Sequence, residues 1–182
     1  MVHVMLYPEV RRLLRQDLQD GLFRPDIGPL DVFRGFPYLH AVIKEAMRVD
    51  LAMTRFRFAR VSTEVIEYGP YKIPAGTAIS TTNTCAHLDP TVFPDPSLFQ
   101  PDRWLQPDSA RLEKYWTAFG QGRYHCVGSK LALLTMHYAV ARIFSESELL
   151  TDLDMETMNR SGVLDFFPSR SCAALNVSVK AL

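Results

Sequence analysis

The chain has 182 residues, 47% hydrophobic and 22% charged, which suffices for one folded domain and excludes a disordered or low-complexity chain. Its 20 basic and 20 acidic residues balance, so we expect no nucleic-acid partner, because such proteins normally carry a basic excess. The cysteines Cys85, Cys126 and Cys172 lie far apart without a C-x-x-C pair, so neither a disulfide framework nor a zinc knuckle is expected.

The first part of the chain predicts two amphipathic helices separated by a loop. Residues Pro8–Gln19 begin with a proline and are followed by Gly21, which are signals for the start and the end of a helix. Glycines and prolines at positions 28, 29, 35 and 37 then indicate the loop. Apolar residues at helical spacing from Pro37 onwards predict a second helix that ends near Val49.

The middle of the chain predicts short strands followed by an irregular stretch. Strands are predicted at Val65–Tyr68, Tyr71–Ile73 and Thr77–Thr82, joined by turns that contain glycine and proline. One helical turn is predicted at Asn83–His87. Five prolines lie between Pro90 and Pro107, so this stretch is predicted to be irregular, because proline lacks the amide proton that helices and sheets use.

The last part of the chain predicts a glycine-containing loop, an apolar helix and a β-rich tail. The loop is Phe119–Gly128, the helix is Ser129–Phe144, and residues 162–179 predict strands around a turn. The helix is shorter than the ~20 residues of a membrane span, and no charged-then-apolar leader opens the chain, so neither a transmembrane segment nor a secretion signal is expected. The fold class predicted is mainly α with small β-sheets (α+β).

Cys126 is the most informative residue of the sequence. It lies in a glycine-containing loop directly before a helix, where backbone amides and the helix dipole stabilise a negatively charged sulfur. Three glycines within nine residues let the backbone pass close to a bulky ligand. A lone cysteine is more often a small buried hydrophobe. A Cys–His nucleophilic enzyme using Cys126 and His137 is a further option, although no oxyanion-hole pattern accompanies it.

The spacing of Phe119, Gly122, Cys126 and Gly128 resembles the haem-ligand loop of the cytochrome P450 superfamily, the haem-thiolate monooxygenases. Two other segments resemble the family in the same chain order. Glu45-Ala46-Met47-Arg48 is similar to its Glu-x-x-Arg helix, and Pro101-Asp102-Arg103-Trp104 is similar to its Pro-Glu-Arg segment. The segments HLDP (87–90) and FPDP (93–96) lie between them, and filamentous-fungal members are the most similar.

The resemblance implies the C-terminal, haem-ligand-bearing part of the cytochrome P450 fold, with haem b (iron protoporphyrin IX) as the cofactor. Cys126 would be the axial ligand of the haem iron, and its thiolate would push electron density onto the metal. Phe119, Gly122, Tyr124 and Gly128 would belong to the cofactor-binding loop. Glu45, Arg48 and Arg103 would form a buried charge network that fixes this loop, acting as structural supports rather than as reagents.

The haem propionates of the family have cationic partners, and the resemblance leaves their identity open. Arg57 and Arg60 both lie after the Glu-x-x-Arg helix, and the sequence does not choose between them. Two residues before the cysteine, where the family commonly has a basic residue, this chain has Tyr124, so we expect a weakened propionate contact. His125 is expected to be a surface residue, and Cys85 and Cys172 are expected to be buried thiols.

The resemblance implies a monooxygenase that inserts one oxygen atom from O2 into a small apolar organic substrate, with electrons from NADPH through a flavoprotein reductase. Four basic residues flank the cysteine loop and either attract an acidic reductase surface or are ordinary solubilising charges: Arg111, Lys114, Arg123 and Lys130. Eukaryotic family members are usually anchored to the endoplasmic reticulum, but no anchor is expected in this chain, so its localisation stays open.

The oxygen-activating helix of the family, with its acid–alcohol pair, has no counterpart in this sequence. Thr81-Thr82 follows no acidic residue, so no catalytic residue is assigned. Residues 1–182 are therefore expected to be a single unit, a truncated domain that lacks the N-terminal half. The alternative is a non-catalytic remnant that binds haem weakly or not at all. In either case the helices at 39–47 and 131–144 are expected to expose apolar surface and to favour aggregation.

Overall fold

The long helices of the N-terminal part begin at prolines, whose missing amide proton costs nothing in the first turn of a helix. The computed structural model describes residues 2–21, 28–49, 59–151 and 177–181. Helix α1 (Val2–Leu6) is followed by α2 (Pro8–Asp20), α3 (Pro29–Gly35) and α4 (Pro37–Val49). The two predicted amphipathic helices are thereby confirmed, and Gly21 follows α2 as expected.

The predicted loop between these helices is wrong, because α3 occupies most of it. Gly28 has an extended conformation and caps the helix, Pro29 is its first residue, and the Val32 amide donates to the Gly28 carbonyl oxygen at 3.1 Å. Val32 and Phe36 are buried and attach this short helix to the core. The glycines and prolines of this region therefore lie at the two ends of a helix rather than interrupting it.

The described strands form three small antiparallel sheets. β1 (Arg60–Val61) pairs with β4 (Ala78–Ile79), and β2 (Ile66–Tyr68) pairs with β3 (Tyr71–Ile73) across a turn in which Gly69 has a positive φ of 58°. β4 is shorter than the predicted strand at 77–82. β5 (Ser147–Thr151) follows α7 without a turn residue and pairs with β6 (Val177–Ala181). This strand was not predicted, because no glycine or proline separates it from the helix.

The remaining elements lie between β4 and β5. These are α5 (Asn83–His87), a 3₁₀ turn at Pro101–Trp104, α6 (Ala110–Glu113), a 3₁₀ turn at Gly122–Tyr124 and α7 (Ser129–Glu146). The proline-rich stretch from 90 to 107 is irregular apart from its one 3₁₀ turn, as predicted, and α7 extends two residues beyond its predicted end. None of the described helices combines the length and the hydropathy that a membrane crossing requires.

Helix α4 is covered on two sides. Its residues Leu39, Val42 and Ile43 pack into a large core formed with α1, α2, α3 and α7, and Ala41 packs into a second core with Phe93 and Trp104. The predicted exposure of apolar residues on this helix is therefore wrong, because neighbouring elements bury both of its faces. Helix α7 does expose apolar surface at its N-terminal end, where Leu131 is 71% exposed, whereas Phe144 near its other end is buried.

Candidate functional site

The cysteine loop turns tightly at two glycines and ends at the start of α7. Gly120 and Gly122 have φ values of 72° and 65°, which glycine adopts without a steric penalty. The Cys126 amide donates to the Phe119 carbonyl oxygen at 2.9 Å, and the Ser129 amide donates to the Cys126 carbonyl oxygen at 3.2 Å. These bonds close the loop and place the Cys126 side chain, which is exposed, immediately before the first turn of the helix.

Apolar side chains next to Cys126 in the chain are also uncovered. Val127 is fully exposed, and Leu131 on the following turn of α7 is largely exposed. Gly128 lies directly beside the sulfur, since a Cβ atom at this position would be 3.9 Å from the Cys126 Sγ, an ordinary van der Waals distance. Phe119 packs at the base of the loop, with its ring 5.9 Å from that of Trp116 and 6.5 Å from that of His125. The loop thus presents a thiol within an apolar, uncovered surface.

Glu45 lies at the centre of a buried hydrogen-bond network that joins α4 to the proline-rich stretch. Its carboxylate accepts two bonds from Arg48, both at 2.9 Å, and one from the Arg103 Nε at 3.0 Å. The Gln100 amide at 3.0 Å and the Trp104 indole nitrogen at 2.9 Å complete its partners. Glu45 and Arg48 are both 0% exposed. The structure therefore brings together the three charged residues of the predicted network.

The two arginines also bind main-chain carbonyl groups of the proline-rich stretch. Arg48 donates to the carbonyl oxygens of Pro96 at 2.7 Å and Leu98 at 3.2 Å, and Arg103 donates to that of Pro94 at 3.1 Å. The ring of Phe93 lies under both guanidinium groups, 5.0 Å from that of Arg48 and 6.0 Å from that of Arg103. These contacts satisfy the carbonyl groups of an irregular segment that has few partners of its own.

The pKa of Glu45 reflects two opposing effects. Burial by itself raises the pKa, because it disfavours the charged carboxylate. The hydrogen bonds and charge of Arg48, the Gln100 amide and the charge of Arg103 together outweigh that effect, so the pKa of Glu45 lies below its ordinary value. The carboxylate is therefore charged at neutral pH, and the network is a fully ionised one.

His87 links this network to the segment that precedes the cysteine loop. Its carbonyl oxygen accepts a bond from Arg48 Nη1 at 2.7 Å, and its ring Nε2 accepts a bond from the Thr117 amide at 2.9 Å. The sequence indicates His87 as the end of a helical turn and as part of the HLDP segment but not as a member of this network, and it does not indicate the contributions of Gln100 and Trp104 to Glu45. The predicted helical turn that ends at His87 is the available signal for this residue, because main-chain amides that donate to a side chain are not visible in a sequence.

A groove beside the loop carries an aromatic–cation stack. The guanidinium carbon of Arg60 lies 3.8 Å from the centre of the Tyr124 ring, and that of Arg123 lies 5.9 Å from it. The groove has a volume of about 560 Å³ and is lined by Ala59, Arg60, Val61, Ser62, Ile66, Ile79 and Tyr124. Neither arginine forms an ion pair with an acidic residue of the described segments. Arg57, the other candidate, lies outside the described residues.

The other cysteine and histidine predictions have mixed outcomes. The prediction that Cys85 is a buried thiol is wrong, because Cys85 is exposed on α5 while His87 occupies the buried side of that helix. Hydrogen bonds from Thr82 and Thr81 lower the pKa of the Cys85 thiol. His125 is exposed as predicted. Cys172 lies outside the described residues.

A nucleophilic Cys126–His137 pair is not formed. His137 is 0% exposed, and its Nε2 contacts the His40 Nδ1 at 2.9 Å while its Nδ1 contacts the Leu133 carbonyl oxygen at 2.7 Å. Both ring nitrogens are thus engaged inside the core between α4 and α7. A nucleophilic role for Cys126 with this histidine is therefore excluded.

The groups around the loop fit haem. A thiol is a suitable axial ligand for haem iron, the uncovered apolar residues Val127 and Leu131 suit a flat hydrophobic ring, and the guanidinium of Arg60 suits a carboxylate substituent. A half-helical chain with small antiparallel sheets, a thiol-bearing glycine loop and a buried carboxylate–guanidinium network is compatible with a part of a haem-thiolate protein.

Comparison with known sequences identifies the family. The family model described as Cytochrome P450 matches residues 1–166, and the chain belongs to that family. Proteins of this family bind haem b. The chain is 33% identical to cytochrome P450 monooxygenase hkm5 of Aspergillus hancockii over 150 residues, which are 81% of this chain and 29% of that protein. The similarity to filamentous-fungal members is thereby confirmed.

Two further relatives show the same pattern. Cytochrome P450 monooxygenase TRI4 of Fusarium sporotrichioides is 35% identical over 78% of this chain and 28% of its own length. A protein of Claviceps fusiformis named inactive cytochrome P450 monooxygenase cloA is 39% identical over 62% of this chain and 22% of its own length. The chain thus spans less than a third of the length of these curated relatives.

Proposed function

We propose that this chain is the C-terminal, haem-ligand-bearing part of a haem-thiolate monooxygenase, with Cys126 as the axial ligand of the iron. The observation that carries the proposal is the exposed Cys126 side chain at the end of a loop that two positive-φ glycines shape, directly before α7. The reaction is the insertion of one oxygen atom from O2 into an apolar organic substrate, with electrons from NADPH through a flavoprotein reductase. The names of the relatives support this reaction class.

Haem, when bound, supplies the redox and oxygen chemistry, and the protein supplies ligation, orientation and exclusion of water. In this division Cys126 binds the iron, and Gly120 and Gly122 hold the loop in the conformation that presents the sulfur. Glu45, Arg48 and Arg103 are proposed to keep the loop in place from behind. No residue of this chain is proposed as an acid or base in the reaction, because the sequence has no small-small-x-acid-Thr pattern like that of the family's oxygen-activating helix.

Arg60 and Tyr124 are proposed to bind a carboxylate of the haem. Stacking at 3.8 Å holds the guanidinium plane against the Tyr124 ring and leaves the N–H groups at its edge available for a carboxylate. In this proposal Tyr124 does more than replace a basic residue with a single hydroxyl donor, because its ring orients the cation. Phe119, Gly122 and Gly128 are proposed to form the rest of the cofactor-binding loop.

A reductase is proposed to approach the face that carries the basic residues around the loop. Arg111, Lys114, Arg123 and Lys130 are all exposed. Arg111 already forms an ion pair with Asp108 at 2.7 Å, and Lys114 lies over the Tyr115 ring. Lys130, on the first turn of α7, is therefore the most available cation for an acidic partner next to Cys126.

The second candidate function is a non-catalytic chain that binds haem weakly or not at all. The name of one relative favours it, because the Claviceps fusiformis protein that is 39% identical to this chain is named an inactive cytochrome P450 monooxygenase. The first function requires that Cys126 hold haem, and the second does not. Haem uptake therefore separates the two candidates.

The test is a titration of the purified chain with ferric haem, followed by reduction and addition of carbon monoxide. We expect the absorption band from which the family takes its name in the wild type and in Cys85→Ser, whose exposed thiol lies outside the loop. We expect Cys126→Ser to lose this band. Haem uptake that survives unchanged in Cys126→Ser contradicts the proposal, and a wild-type chain that takes up no haem supports the second candidate.

A further inference from the structure

His87 lies between the buried charge network and the segment that leads into the cysteine loop. Its carbonyl group contacts the network, and its imidazole ring contacts that segment. We propose that His87 is a positioning residue, which transmits the Glu45–Arg48–Arg103 network to the loop that carries Cys126. This inference rests on the proposed function for its meaning, since it concerns the placement of the iron ligand. The coupling itself is a property of the chain and is measurable without haem.

The first step joins α4 to α5. His87 is the last residue of α5, so its carbonyl group has no partner within the helix. Arg48 Nη1 donates to this oxygen at 2.7 Å, and the guanidinium brings a positive charge to the negative end of the helix. His87 is 1% exposed, so water does not compete for this bond. Arg48 thereby fixes the place of the His87 backbone.

The second step joins the His87 ring to Thr117. The Thr117 amide donates to Nε2 at 2.9 Å, and the Thr117 hydroxyl, 3.4 Å from the same nitrogen, donates to Asn83 Oδ1 at 3.1 Å. Because a backbone amide can only donate, Nε2 must offer a lone pair. The ring is therefore neutral and carries its proton on Nδ1. Among the described residues that nitrogen is buried and has no hydrogen-bond partner of normal geometry, so the bond from the Thr117 amide holds the ring in place.

The third step joins Thr117 to Cys126. The Gly120 amide donates to the Thr117 carbonyl oxygen at 2.8 Å, and this bond closes the turn in which Gly120 has its positive φ. The carbonyl group of Phe119, within the same turn, accepts the Cys126 amide at 2.9 Å. Four hydrogen bonds thus connect the Arg48 guanidinium to the backbone of Cys126. No direct contact between Arg48 and the loop is needed.

The electrostatic surroundings keep the ring in the form that this linkage requires. Burial first, and the charge of Arg48 second, lower the pKa of His87 to about 4, against smaller opposing effects of the Arg48 main chain and the Glu45 charge. Arg48 and Glu45 of α4 are the charged groups that act on the ring among the described residues. At neutral pH the ring therefore accepts the Thr117 amide, whereas a protonated ring could not.

The experiment compares amide hydrogen exchange in His87→Leu and His87→Gln with that of the wild-type chain, without haem. Leucine fills the space and removes the acceptor, whereas glutamine offers an oxygen at a similar reach. In His87→Leu we expect peptides covering 117–126 to exchange about tenfold faster or more, while peptides of α2 keep their wild-type rates. In His87→Gln we expect near-wild-type protection of the loop.

A second arm uses pH. After correction for intrinsic exchange, the wild-type loop is expected to lose more protection between pH 7 and pH 4 than the His87→Gln loop, since His40 and His137 weaken both chains alike. The proposal is overturned if residues 117–126 stay protected from exchange in His87→Leu. It is also overturned if α2 loses as much protection in this variant as residues 117–126 do. If His87→Leu does not fold, equal pH profiles of wild type and His87→Gln overturn the proposal. Failure of haem uptake with normal exchange results would instead count against the proposed function alone.

Discussion

Glu45 shows how much one buried carboxylate can organise. Two arginines, an indole and a main-chain amide converge on its two oxygens; Arg48 comes from α4 itself and the other three groups come from residues 100–104. Such an arrangement is costly to desolvate, and it is stable only while every partner is present. The network therefore contributes less to net stability than to specificity. It holds two segments that are separated in the chain in a single relative arrangement.

Removal of the Glu45 charge is expected to be strongly destabilising. In Glu45→Gln the Arg48 and Arg103 guanidiniums remain without their anion, so the free energy of unfolding should fall by about 3–5 kcal/mol. Chemical denaturation followed by circular dichroism measures this change. Glu9→Gln is the matched control, since Glu9 forms an exposed pair with Arg12 on α2 and its loss should leave the midpoint unchanged. Equal midpoints for the two variants would contradict the assigned role of Glu45.

At the scale of elements, the loop before α7 depends on backbone conformation rather than on side-chain packing. Gly122 has a positive φ of 65°, and no atom of the described part of the chain lies within 4 Å of the position that a Cβ atom would take. The space for a side chain is available, so conformational strain alone requires glycine here. The same loop carries the ligand candidate, Cys126, which makes the conformation matter for the site.

Gly122→Ala should therefore act through strain. An alanine in this left-handed conformation costs roughly 1–2 kcal/mol, and we expect haem affinity to fall about tenfold as the loop relaxes. Gly35→Ala is the control, because Gly35 lies at the end of α3 without a positive φ and without neighbours within 4 Å. Haem titration of both variants measures the effect. A similar loss in Gly35→Ala would show that the result does not depend on the loop conformation.

At the scale of the whole molecule, α4 organises the structure because it contacts both cores and carries the charged network. Three histidines lie on α4 or on elements that contact it: the half-buried His40 and the buried His87 and His137. Burial and the charge of Lys44 lower the pKa of His40 to about 4, burial also lowers the pKa of His137 in α7, and His87 behaves in the same way at the end of α5. All three are held neutral in the folded chain, which ties the stability of the fold to pH.

Stability should consequently fall as the pH is lowered. The unfolded chain binds a proton at each histidine near its ordinary pKa of 6.5, while folded His87 does so only near 4, so stability declines through this window. His87 alone should reduce the free energy of unfolding by about 2 kcal/mol between pH 7 and pH 5. Glu45, with its lowered pKa, contributes only below this range. Urea denaturation at the two pH values, with exposed His125→Gln as the control, provides the measurement. A pH-independent midpoint would contradict it.

The sequence by itself determined the family, the two amphipathic helices, the apolar helix after Cys126 and the residues of the charged network. These features depend on local periodicity, on proline and glycine signals, and on motifs whose spacing is visible along the chain. The position of Cys126 before a helix is of the same kind. Its place at the end of a glycine-shaped loop is therefore predictable from the order of the residues alone.

Only the tertiary structure decided which groups meet. Residues 28–37 carry loop signals, yet buried Val32 and Phe36 make most of them a helix, since packing outweighs local preference. Cys85 is exposed because its neighbour His87 takes the buried side of α5. The stacking of Arg60 on Tyr124 and the bond from Thr117 to His87 join residues far apart in the chain. Contacts of this kind arise from the path of the backbone, and a residue type alone does not encode its distant partner.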